Sequence, residues 1–176
     1  CATALGTLGP LRFGSGSDLN AGDPYEGYVV CVGNVGASSY ANTKDGGVGI
    51  VPVSITPAGV TPVVVVTRTT NNAMTIRSTF EKATNAGGVR ITMQVTNTSG
   101  SALQNVRLSR YLDVDADGFQ SDRGTNVGLN SLRVVDSNSG YGVVMVSNSP
   151  GSRQLQLYGG LVNSRNRCSG AAVPAG

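Results

Sequence analysis

Apolar residues in this chain recur at every second position and are repeatedly broken by turn residues, and no other feature restricts its fold as much. Val89, Ile91, Met93 and Val95 alternate with Arg90, Thr92, Gln94 and Thr96. A β-strand sends successive side chains to opposite faces, so this stretch carries one apolar and one polar face. Met74, Ile76 and Phe80 alternate with Thr75, Arg77, Thr79 and Glu81 in the same way, as do Val106 and Leu108 with Arg107 and Ser109. The β-branched run at 63–66 suits a strand buried on both faces. Further strands are expected at 27–32, 48–55, 132–135, 141–147 and 154–161. No window sustains a helical stripe over about ten residues.

The pieces between these strands are turn chemistry. Asn-Ala-Gly-Gly at 85–88, Asn-Thr-Ser-Gly at 97–100, Ser-Asn-Ser-Gly at 137–140 and Asn-Ser-Pro-Gly at 148–151 supply positive φ and side-chain-to-backbone bonds. Short turns between many strands predict an all-β chain, a single-domain antiparallel β-sandwich of about nine or more strands. Pro52, Pro57 and Pro62 remove backbone donors, so 51–61 is expected at an edge or in a wandering connection. The 176 residues fit one domain, 1–176, with 1–10 and 169–176 as terminal arms. No apolar run approaches the roughly 18 residues of a membrane span.

Composition narrows the chemistry. There is no histidine, so a Ser-His-Asp triad, a Cys-His dyad and a histidine-ligated metal site are all impossible within these residues. Glu26 and Glu81 are the only glutamates. A carboxylate-based hydrolase is left as a residual alternative to a non-enzyme. The net charge of +3 comes from dispersed basic residues, nearly all arginine, with no basic run and no interleaved aromatics, which argues against nucleic acid as a partner. Arginine is suited to planar hydrogen bonding with carboxylates and carbonyls.

Three cysteines, Cys1, Cys31 and Cys168, form no CxxC pair. A Cys31–Cys168 disulfide would tie an early strand to the C-terminal segment, as in secreted β domains; two buried thiols are the alternative. Cys1 is left over for cross-linking or modification, and a cysteine first in the chain and followed by Ala2 also fits a lipid-anchored mature protein.

The most informative constellation is Asp113-Val114-Asp115-Ala116-Asp117-Gly118, directly after a strand. Three carboxylates at alternating positions before a permissive glycine can converge oxygens on calcium, which accepts an irregular shell of about six to eight oxygens. The Phe119 carbonyl falls at position seven, and Asp122 or Asn126 could supply a further oxygen. Gly124 stands where an EF-hand needs glutamate, so that motif is excluded. The competing reading is a metal-free acidic turn neutralised by Arg110 or Arg123. A second possible cation site, Asp18, Asn20 and Asp23, is also explained by Asx-turn hydrogen bonding.

Residues 88–118, with the Asn97-Thr98-Ser99-Gly100 turn, the Asn105-Val106 strand start and Arg110-Tyr111-Leu112-Asp113-Val114-Asp115, resemble bacterial extracellular, supersandwich-like surface domains. The resemblance implies a sandwich fold and a place on or outside a cell. The related mutarotase-like enzymes use histidine and glutamate, and with no histidine here no catalytic residue carries over. The expected function is therefore a non-catalytic, secreted or cell-surface structural module, calcium-stabilised, that self-associates or binds another surface protein, as in a filament or adhesive assembly. The alternative is a carbohydrate-binding module that stacks a polysaccharide on Tyr25, Tyr28, Tyr40, Tyr111, Tyr141 or Tyr158; no tryptophan is present to serve as a platform.

Overall fold

The computed structural model describes residues 4, 6, 12–13, 17–18, 26–33, 39–43, 46–84, 87–112, 122–128, 131–136 and 142–146. These form thirteen strands and no helix. In chain order they are β1 (Arg12–Phe13), β2 (Ser17–Asp18), β3 (Glu26–Cys31), β4 (Ser39–Thr43), β5 (Gly46–Val48), β6 (Ile50–Ile55), β7 (Val63–Thr69), β8 (Met74–Lys82), β9 (Val89–Asn97), β10 (Arg107–Leu112), β11 (Asp122–Gly128), β12 (Ser131–Asp136) and β13 (Gly142–Val146). No helix among the described residues is long and apolar enough to cross a membrane.

Every described pairing is antiparallel. One four-stranded sheet runs β10-β3-β4-β5 and another β6-β7-β8-β9; β11-β12-β13 make a third, and β1-β2 a short ribbon. The core joins the first two. Tyr28 and Val30 of β3 pack with Ile50 of β6 and with Met74 and Ile76 of β8, and Val32, Tyr40, Met93, Val95 and Leu103 close around them.

The strand buried on both faces is β3, not the 63–66 run. All six residues of β3 are buried, whereas β7 buries Val65, Thr67 and Thr69 and leaves Val64 and Val66 half-covered. The buried threonines remain hydrogen-bonded, as buried hydroxyls must. Thr67 Oγ1 meets the Tyr28 hydroxyl at 2.8 Å, and Thr69 Oγ1 accepts the Met74 N–H at 3.0 Å.

The proline-marked segment begins with an edge strand. β6 lies at the end of its sheet, and its ladder with β7 shifts register between Pro52 and Ser54. The expected single strand at 48–55 is two strands in different sheets, because Gly49 turns the chain from one to the other. Its φ of +67° is disfavoured for residues with a Cβ, and a Cβ there would lie 2.9 Å from Tyr40 Cδ1. The Asn97-Thr98-Ser99-Gly100 turn forms as its residue types suggest. Asn97 Oδ1 accepts the Ser99 N–H at 2.9 Å, and Gly100 takes φ +74°.

Candidate functional site

The best-defined polar constellation lies inside the molecule and is built on β3 and β10. Their register sets Arg110 opposite Tyr28 and Leu112 opposite Glu26, so Arg110 and Glu26 are diagonal neighbours on the face that carries the core. The Arg110 Nη2 lies 2.5 Å from Glu26 Oε1, with side-chain exposures of 15% and 3%. A bare carboxylate that deep would be strongly disfavoured, and the guanidinium supplies its counter-charge.

Arg110 also joins three other parts of the chain. Its Nη2 donates to the Gly6 carbonyl at 3.3 Å, its Nη1 to Met93 Sδ at 3.4 Å, and its guanidinium carbon sits 5.4 Å from the centroid of the Phe80 ring. Gly6 is buried at φ +79°, with Ser78 and the Tyr28 ring next to the position of a would-be Cβ. One arginine thus joins Gly6 to strands from both large sheets. These residues offer charge neutralisation and positioning; no nucleophile with an adjacent base is among them.

Arg110, one of the two arginines expected to neutralise the aspartate turn, sets its guanidinium against Glu26, and the turn itself lies outside the described residues. The geometry corrects one expectation. Tyr28 cannot stack on a sugar, since it is fully buried with its hydroxyl on Thr67. Tyr40 is half-buried and its hydroxyl accepts from Asn71 Nδ2 at 2.7 Å. Tyr25, Tyr141 and Tyr158 lie outside the described residues.

The expected calcium ligands fall mostly outside the described residues. Asp113, Asp115, Asp117 and Phe119 belong to the segment between β10 and β11, and Asp122 is the first residue of β11. The β11–β12 register sets Asp122 directly opposite Asp136, a residue that no sequence spacing had linked to the aspartate turn. Of the second proposed cation set, Asn20 and Asp23 lie outside the described residues, and Asp18 on β2 is in register with Arg12 on β1. No cluster of three or more His, Cys, Asp or Glu residues able to hold a metal occurs among the described residues. Cys31 is disulfide-bonded, and Cys1 and Cys168 both lie outside the described residues.

The remaining feature of functional interest is the set of sheet edges. Val53 and Ile55 on β6, Val89 on β9, Val106 just before β10, and Leu108 on β10 are all exposed. The chain matches no known protein-family model, no curated protein and no solved structure.

Proposed function

We propose that this chain is a non-catalytic structural module of an extracellular or cell-surface assembly, folded as an antiparallel β-sandwich and working by association through its sheet edges. The observation that carries the reading is the exposed apolar character of those edges, at Val53, Ile55, Val89, Val106 and Leu108. An edge strand presents unpaired N–H and C=O groups, and apolar neighbours add a hydrophobic gain when another chain covers them.

Calcium completes the proposal, held by Asp113, Asp115, Asp117, the Phe119 carbonyl and Asp122 in the connection that follows β10. The facing positions of Asp122 and Asp136 support it, because like charges directly opposed in a ladder are destabilising and a divalent cation relieves them. Cys168 is assigned as the disulfide partner of Cys31, in keeping with an oxidising compartment. Sedimentation of the purified chain over a range of concentrations tests the central claim, with concentration-dependent oligomers or fibres as the expected result. A monomer at every concentration that is retained on a polysaccharide column would replace association with sugar recognition.

A further inference from the structure

We infer that β9 is a self-complementary edge through which two copies of this chain join, antiparallel and centred on Met93, into one continuous sheet. The inference rests on the associative reading above and names the surface and the partner, a second copy.

Among the described residues no strand pairs with the outer edge of β9. The other described edges of the three larger sheets are interrupted or shorter. β6 carries Pro52 and a register shift, β11 has a register shift between Asn126 and Gly128, and β5, β13 and β10 span three, five and six residues. β9 has none of these protections: it spans nine residues without proline and pairs in unbroken register with β8 along its whole length.

The backbone groups available on that edge can be identified. Thr98 N–H bonds the Ala73 carbonyl at 2.9 Å, and Ala83 N–H bonds the Gly88 carbonyl at 3.0 Å. Both bonds share the register of the β8–β9 ladder, in which Met74 faces Asn97 and Lys82 faces Val89. Bonded and non-bonded pairs alternate in an antiparallel ladder, so Arg90, Thr92, Gln94 and Thr96 direct their backbone groups at β8. Val89, Ile91, Met93, Val95 and Asn97 direct theirs outward.

A second β9 laid antiparallel about Met93 meets those groups in phase. Met93 faces its own copy, Ile91 faces Val95, and Val89 faces Asn97, which gives about ten backbone hydrogen bonds. The side chains match as well. The half-buried stripe of Ile91, Met93 and Val95 continues into the same stripe of the other copy, on the side where Leu108 is exposed. On the polar face Thr92 meets Gln94 and Arg90 meets Thr96, so no like charges are opposed. An isologous contact of this kind closes as a two-fold dimer.

The register makes opposite predictions for two substitutions at exposed Thr96, each of which faces Arg90 of the other copy. In equilibrium sedimentation of the 176-residue chain, Thr96→Glu should tighten the dimer and Thr96→Arg should weaken it, each by roughly two- to thirtyfold, since the contact occurs twice. Ile91→Pro removes an outward N–H and leaves the bonds to β8, so it should yield a folded monomer by circular dichroism. Val53→Pro on the opposite edge should leave the dimer unchanged. Association that ignores the Thr96 and Ile91 substitutions would overturn the β9 interface and leave assembly through another surface standing. A wild-type monomer at all concentrations would overturn both.

Discussion

Replacing Arg110 with methionine removes the guanidinium and keeps an unbranched, shorter side chain. Glu26, 3% exposed on a strand buried on both faces, then loses the guanidinium that lies 2.5 Å from its Oε1. Removing one partner of a buried ion pair costs about 3–5 kcal/mol. The Gly6 carbonyl also loses its donor. For a chain of this length a 1 kcal/mol change moves the melting temperature by roughly 2–4 °C, so Arg110→Met should lower it by about 6–20 °C. Urea unfolding followed by circular dichroism should show a lower midpoint with an unchanged slope. The double variant Glu26→Leu/Arg110→Met should recover to within about 1 kcal/mol of the parent, because an apolar pair carries no desolvation penalty. An Arg110→Met protein within 1 kcal/mol of the parent, or a double variant whose loss is the sum of the two single losses, would refute the reasoning.

Three further outcomes are expected. Gly49→Ala should destabilise by at least about 1–2 kcal/mol, read as a lower thermal midpoint, because alanine at φ +67° is strained and its Cβ meets the Tyr40 ring. Melting in calcium should exceed melting in chelator, by about 2.7 kcal/mol at a hundredfold excess over the dissociation constant, and Asp115→Asn should shrink the difference; identical transitions would remove the calcium site. Mass spectrometry of an unreduced digest should yield a peptide pair joining Cys31 to Cys168, and a pair joining Cys31 to Cys1 would show that the partner was misassigned.

The all-β character could be read from the chain because β8 and β9 alternate cleanly, and the edge position of β6 because proline cannot donate within a central ladder. β1, β2, β4, β11 and most of β5 were not foreseen. Gly46–Val48 and Asp122–Gly128 carry too few alternating apolar side chains to announce strands, and pairing with a neighbour imposes the extended form. Where the chain would change sheets was likewise hidden, since Gly49 reads like any turn glycine until Tyr40 is beside it. The Glu26–Arg110 pair did leave one sign. Val106, Leu108, Arg110 and Leu112 share one strand phase, and an arginine in an apolar phase needs a buried acid, but Glu26 is too remote in sequence to be identified as that acid.

The bond from Arg110 to Gly6 links positions 104 residues apart, and β10 must reach back to pair with β3 across most of that interval. By contrast, among the described residues β6, β7, β8 and β9 pair only with sequence neighbours. Closing a short loop costs less entropy than closing a long one, so the expected order of folding is the β6–β9 meander first and the clasp last. The test is kinetic. Substitutions on the β7–β8 ladder should slow refolding, whereas loss of Arg110 should act chiefly on the unfolding limb of a chevron plot. A molecule organised this way holds its lifetime at the clasp and its folding speed in the meander, so the two can be altered separately.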